Sequence, residues 1–448
     1  MPERLHFVGV AGAGVSALAQ LRALEGCAVT GSDRQADKGS LGDAGARLAK
    51  AGIRVLPQDG SGIARETARV VISTAIEDDN HDIRRARELG VPIVHRADEL
   101  AAVAQPRRTV AVAGTSGKST VTAMVFHILE AAGLAPSLVT GAGLPAIRGR
   151  GLLGNAWLGK GDLLAIEADE SDGTINRYSP HLGLLLNVSK DHKNLDELFD
   201  LFSGFLAKSS SKVVSADAPG LERFHPGALT YGFHAGELRG RDLKVGPDSS
   251  TFTVEGAKFD IPLPGAYNAE NSLAATAAAK ALGVPAAKSA EALSTFAGVA
   301  RRFEFVGSAR DVRVFDDYAH NPEKVRAALG AAHLRAGRLL VVFQLHGFAP
   351  ARFLKNEFVD AFATALETDD VLYLPDIYYA GGTVAKDISA ADYAELISKR
   401  GRKAYHVQRA EIAARIAAEA RSGDLVLVLG ARDPSLPKFA ASIVDALG

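Results

Sequence analysis

Short apolar runs, each followed by a turn and then a helical pattern, recur along the chain. LHFVGV at 5–10 leads through Ala11, Gly12, Ala13 and Gly14 into VSALAQLRALEG, and TVAVAG at 109–114 leads through TSGK into STVTAMVFHILEAAG. A third unit, VRVFDDYA at 312–319, passes through His320, Asn321 and Pro322 into EKVRAALGAAHLRAG. Further buried-strand patterns are VVIST (70–74), LLAIEA (163–168), LGLLLN (182–187), LLVVFQL (339–345), VLYLP (371–375) and LVLVLG (425–430). Apolar runs alternating with helices predict an α/β fold, with parallel sheets built from strand–helix–strand units. Pro106 with Arg107 and Arg108 marks one expected boundary and FAGVARRF at 296–303 another, dividing the chain into domains 1–105, 106–297 and 298–448.

Length supports that division, since 448 residues at roughly 150 per domain give about three. Apolar residues make up 47% and charged residues 23%, which excludes wholesale disorder. Lys plus Arg number 51 against 52 Asp plus Glu, so no basic excess points to nucleic acid or an anionic membrane as partner. The single Cys27 excludes an intramolecular disulfide and a C-x-x-C site. The start, MPERLHFVGVAGAGVS, shows no basic leader with an apolar core, and no run of about 18 apolar residues occurs. A cytoplasmic enzyme, monomeric or homodimeric, is expected.

Candidate chemistry centres on GTSGKST at 114–120, after a strand and at the start of a helix. Such a loop aims backbone N–H groups of Gly114, Thr115, Ser116 and Gly117 at phosphate oxygens, and the helix N-terminus adds positive dipole. Lys118 is expected to reach the terminal phosphates and to serve phosphoryl transfer rather than folding, with Ser119 or Thr120 able to ligate Mg²⁺. The strict phosphate-loop formula asks for Gly at 112, where this chain has Val112. Strand, loop and helix in that order still favour ATP.

Beyond two later strands lie Glu167, Asp169, Glu170 and Asp172, then Asn187, Asp191 and His192. Carboxylates at the carboxyl ends of strands can hold Mg²⁺ through oxygen. The first domain has its own turn, with Gly9, Gly12 and Gly14, and a second strand ending at Asp33. Its G-x-x-G-x-G spacing is weak evidence for a pyrophosphate, with Asp33 on a ribose. A dehydrogenase reads similarly there, but leaves the ATP loop unexplained.

Together these segments resemble the Mur ligase family, the ATP-dependent amide-forming enzymes of peptidoglycan precursor synthesis. HFVGVAGAGVSALA, VTGSD and VVISTAIEDDNHDIRRARELGVPIVHRADELA look like its UDP-binding domain. AVAGTSGKST, IEADESDGT, NVSKDH and LPGAYNAENSLAATAAA look like its central domain, while RRFEFVG and DDYAHNP look like its C-terminal opening. The resemblance implies a Rossmann-like first domain for the UDP-sugar, a P-loop ATPase-like central domain and a Rossmann-like last domain for the amino acid. It implies that L-alanine is joined to UDP-N-acetylmuramate through an acyl phosphate, with ATP and Mg²⁺. Glu167, His192 and Ser119 fall where the family ligates Mg²⁺, Asn271 matches an adenine contact, and Arg302 and Asp317 match residues near ATP. His320 falls near the incoming amine. Gly12, Ala13, Gly14, Val15, Ser16, Asp33, Ser73, Thr74, Tyr318 and Arg352 are the implied substrate contacts.

The chain also departs from the resembled pattern. Ser116 and Ser119 stand where His and Thr are usual, and Tyr267 replaces a histidine. In FQLHGFAPARF at 343–353, Gly347 and Pro350 occupy the places of two arginines that hold an amino acid carboxylate, and Arg352 is the nearest remaining cation. DIYYAGGTVAKDI at 376–388 lacks the acidic residue usual after its tyrosine turn. A ligase for another amino acid or for a recycled peptide, and a non-catalytic nucleotide-binding paralogue, therefore stand beside the L-alanine reading.

Overall fold

The computed structural model describes residues 2–39, 41–170, 173–189, 194–379 and 384–448. The chain forms two compact units, one of residues 1–244, 250–262 and 266–299, the other of 245–249, 263–265 and 300–448. The first unit holds two sheets. In one, five parallel strands (Arg4–Val8, Ala28–Ser32, Arg54–Leu56, Arg69–Ile72 and Ile93–His95) run in the order third, second, first, fourth, fifth. Strand order reverses beside the first strand, and the glycine turn sits at its carboxyl end, where open α/β sheets bind ligands.

The other sheet has ten strands. The strand Arg108–Ala113 lies between Leu163–Glu167 and Leu182–Leu185, parallel to both. Val110, Ala111, Val112 and Ala113 are fully buried, as an unbroken apolar run in a strand covered on both faces must be. The helix Lys118–Ala131 packs against the alanine-rich helix Ala266–Ala281. At one edge, Ser250–Val254 and Ala257–Ile261 form an antiparallel hairpin absent from the sequence reading. Glu255 and Gly256 close it with φ of +50° and +82°, the two-residue turn whose twist suits adjacent antiparallel strands.

The second unit carries six strands in the order Glu304–Ala309, Val312–Asp317, Leu425–Leu429, Leu339–Phe343, Val371–Leu374, Lys403–His406. Five are parallel, but Glu304–Ala309 runs antiparallel to its neighbour, which corrects the all-parallel expectation. The reason is the connection: Arg310 and Asp311, at φ +49° and +60°, make a tight hairpin, and a parallel neighbour needs a crossover of a dozen residues. Val314, Leu340, Val342, Val426 and Val428 form the core with Ile412, Ile416 and Ile443 from the covering helices. Among the described residues no helix is long and apolar enough to cross a membrane.

Candidate active site

The loop 114–117 joins the buried strand Arg108–Ala113 to the helix Lys118–Ala131. Gly114 and Gly117 have φ of +138° and +85°, and a Cβ on Gly117 would lie 2.7 Å from Asn271 Oδ1. Only glycine satisfies both the backbone angle and that approach. Asn271, the expected adenine contact, therefore stands directly against the loop. Asn187 braces it from the next strand: its Oδ1 accepts from Ser116 N (2.9 Å) and Thr115 Oγ1 (3.0 Å), and its Nδ2 donates to Ser116 O (3.2 Å). Thr115 Oγ1 also lies 2.9 Å from Ser189 Oγ. Ser119 and Thr120, in the first helical turn, are buried.

Lys118 is already engaged. Its Nζ donates to Gly114 O at 2.6 Å and pairs with both oxygens of Glu170 at 2.8 and 3.0 Å. Glu170 is 5% exposed, and burial pushes its carboxyl up while Lys118 opposes the shift. Lys118 thus takes part in the fold as well as the loop, and Glu170, anticipated only as one of several carboxylates, is its partner.

Glu167 ends the neighbouring strand. Its Oε1 accepts from Thr140 Oγ1 and, at 2.7 Å, from Gly141 N, which orients the carboxylate and leaves Oε2 without a donor among the described residues. An oxygen held this way beside a phosphate loop suits Mg²⁺, which takes oxygen ligands and keeps waters and phosphates in its shell. Among the described residues no group of three or more His, Cys, Asp or Glu side chains could hold a metal on its own. Asp172, Asp191 and His192 lie outside the described residues.

In the first sheet, Asp33 braces the glycine turn: Oδ2 accepts from Ala11 N (2.9 Å) and Oδ1 from Gln35 N (2.8 Å). A carboxylate has about four acceptor sites, so a ribose contact remains open to it. Gly12 caps the helix Ala13–Leu24, and Ser73 and Thr74 follow the adjacent strand Arg69–Ile72. Sequence reasoning missed what fixes this helix to the central sheet. Asn155 Nδ2 donates to Ala13 O and Ser16 Oγ, both at 2.9 Å, and its Oδ1 accepts from Gln20 Nε2 at 2.7 Å. Arg96 Nη1 would lie 3.2 Å from a Cβ on Gly14, and its Nη2 is 3.6 Å from Asp169, joining the turn to the acidic loop.

In the second unit, Asp317 accepts from Phe303 N and Ala319 N, both at 2.7 Å, and burial pushes its carboxyl up against the pull of Arg302. Arg302 lies over the Tyr318 ring at 4.7 Å. The Tyr318 and His320 rings meet edge-on at 5.5 Å, and His320 meets His346 at 5.7 Å. Arg352 pairs with Asp387 (Nε–Oδ1 3.0 Å) and donates to Ala385 O (3.0 Å), so it is bound into a loop rather than presented to a ligand.

Three family descriptions match successive parts of the chain: "Mur ligase family, catalytic domain" at 4–108, "Mur ligase middle domain" at 112–279 and "Mur ligase, glutamate ligase domain" at 301–432. The UDP-N-acetylmuramate–L-alanine ligase of Streptomyces griseus is 38% identical, over 96% of this chain and 95% of its own. The structure of a UDP-N-acetylmuramate-alanine ligase from Thermotoga maritima superposes with a TM-score of 0.82 at 25% identity, covering 99% and 98% of the two chains. A murein peptide ligase from Psychrobacter arcticus shares the fold, with a TM-score of 0.71 at 22% identity over 100% and 99%. The chain belongs to the Mur ligase family, whose three domains it carries in order, and is an ATP-dependent ligase.

Proposed function

We propose that this ligase joins L-alanine to UDP-N-acetylmuramate, releasing ADP and phosphate. Domain 1–105 would hold the UDP-sugar, 106–297 the ATP and 298–448 the amino acid. What carries the reading is the near full-length likeness to L-alanine ligases together with an intact Lys118 loop. The sugar carboxylate attacks the γ-phosphate, ADP leaves, and the resulting acyl phosphate is attacked at carbon by the amine; the tetrahedral intermediate expels phosphate. Lys118, turned from Glu170 to the phosphates, and the loop N–H groups stabilise the transferring charge. Ser119 and Glu167 and, by family resemblance, His192 would hold Mg²⁺, which would supply positive charge to offset that of the nucleotide phosphates. By the family resemblance, Asn271 would take the adenine, Arg302 and Asp317 would contact ATP, and His320 and Tyr318 would serve the incoming amine. ATP use and a lone cysteine fit a cytoplasmic setting.

A second reading, a ligase for another amino acid or a preformed peptide, is favoured by Gly347 and Pro350, which offer no side-chain donor. ADP release with UDP-N-acetylmuramate across a panel of amino acids and short peptides decides between them. L-alanine as the best amine supports the first reading; brisk turnover of another amine beside poor use of L-alanine overturns it.

A further inference from the structure

We propose that Lys386 holds the carboxylate of the incoming amine substrate; this rests on the amide-ligase reading above. The carboxyl ends of the strands Leu339–Phe343 and Val371–Leu374 continue side by side, with Tyr378 N donating to Leu345 O and Gly347 N to Tyr378 O, both at 2.8 Å. That pairing sets Phe348 edge-on to Tyr379, with ring centroids 5.3 Å apart. Lys386 Nζ stands over both rings, 5.0 Å from Tyr379 and 6.0 Å from Phe348. Aromatic faces attract an ammonium only weakly at an exposed site, so they position the charge without neutralising it.

Among the described residues no carboxylate pairs with Lys386. The adjacent Asp387 is taken by Arg352, whose Nη2 also donates to Ala385 O at 3.0 Å. Arg352 thus fixes the chain on both sides of Lys386 and leaves the ammonium as the charge on offer. Tyr379 adds a buried hydroxyl with no partner among the described residues. Phe348, one of the two rings beneath the cation, lies two residues after His346, whose ring meets that of His320 edge-on at 5.7 Å. The backbone explains why it comes from this loop. Gly347 has φ +71°, and a Cβ there would sit 3.3 Å from Pro350 Cδ, so an arginine at 347 would be strained and 350 is closed by the proline ring.

A lone ammonium gives one point charge where an arginine pair gives two forks, so the site selects for a carboxylate and tolerates different amines. The test takes the best amine from the panel and its carboxamide, with wild type, Lys386→Gln and Lys386→Arg. Lys386→Gln should raise KM for the amine about 10- to 100-fold, on the scale of one lost charge-assisted bond, and leave KM for ATP and the thermal midpoint unchanged. Preference for the carboxylate over the carboxamide should collapse in Lys386→Gln and return in Lys386→Arg. An unchanged amine KM and an unchanged preference in Lys386→Gln would overturn the assignment while leaving the ligase intact. Absence of turnover with every amine in the wild type would overturn the ligase reading, and this assignment with it.

Discussion

Lys118 and Glu170 form a largely buried ion pair at the phosphate loop, with Nζ 2.8 and 3.0 Å from the two carboxylate oxygens. A nucleotide must therefore draw the ammonium away from a carboxylate rather than from water. Burial already pushes the Glu170 carboxyl up, and losing Lys118 removes the main opposing influence, so Glu170 takes up a proton more readily once phosphate claims the lysine.

This pairing makes a prediction about stability as well as rate. Glu170→Gln leaves the partly buried ammonium without its counter-charge, with Gly114 O still accepting from it, and should destabilise the ligand-free protein by about 1–2 kcal/mol. ATP replaces the missing charge, so its thermal shift should be larger in Glu170→Gln than in wild type. Lys118→Ala should lower turnover by about 100-fold or more and also lower the midpoint. Melting the two single variants and the double variant checks the coupling: strict additivity would mean the pair contributes nothing.

Asn187 makes a separate prediction about nucleotide affinity. Its amide holds Thr115 and Ser116 through three hydrogen bonds. Asn187→Ala should loosen the loop whose N–H groups face the phosphates and raise KM for ATP about 10-fold, with the amine KM little changed. Equal KM values for ATP in variant and wild type would show that the loop keeps its shape unaided.

The residues just described show where sequence reasoning reached and where it stopped. Strands covered on both faces read as unbroken apolar runs, so Arg108–Ala113 and Leu425–Leu429 were visible, and the glycines of 114–117 marked the loop. The hairpin Ser250–Ile261 carried only a polar–apolar alternation and an Glu-Gly turn, a fainter signal than a continuous run. Glu170 was one acid among four in IEADESD, and nothing in the spacing says which of them turns back to Lys118. Asn155 was out of reach altogether, because its partners Ala13, Ser16 and Gln20 lie more than a hundred residues away.

A pH dependence follows from His333 and Asp370, which meet at 2.8 Å at the end of the helix Pro322–His333. The hydrogen bond to Asp370 raises the His333 pKa above 6.5, and hydrogen bonds from His333, Glu367 N and Leu339 N outweigh burial to lower that of Asp370 below 3.8. A raised histidine contributes in full below 6.5 and loses its contribution as pH climbs through the folded value. A depressed aspartate contributes above 3.8 and loses it as pH falls through its folded value. The pair therefore stabilises most between these limits. His333→Gln should cost on the order of 1 kcal/mol at pH about 5.5 and distinctly less at pH about 9, read from urea melts. A difference that grows with pH would show the sign to be wrong.

Asn155 ties the first sheet's glycine-turn helix to the central sheet, and its removal should be felt in both stability and substrate binding. Its amide satisfies Ala13 O, Ser16 Oγ and Gln20 Nε2, while Gln20 Oε1 accepts from Leu153 N at 3.1 Å. Ser16, Gln20 and Asn155 are 1%, 0% and 6% exposed, so water cannot readily replace a lost partner. Asn155→Ala removes one partner each from Ala13 O, Ser16 Oγ and Gln20 Nε2, which keep only the Ser16 Oγ–Ala13 O (3.0 Å) and Gln20 Nε2–Ser16 O (3.1 Å) bonds, for a cost of about 1–3 kcal/mol. Gln20→Ala in the same background should cost less than it does alone, because its bond to Asn155 is already gone and only those to Ser16 O and Leu153 N remain to be lost. The helix that starts at Ala13 presents the proposed UDP-sugar contacts, so KM for UDP-N-acetylmuramate should rise several-fold while KM for ATP holds. Full additivity of the two substitutions, or an unchanged UDP-sugar KM in a destabilised Asn155→Ala protein, would reduce Asn155 to a packing residue with no bearing on the substrate turn.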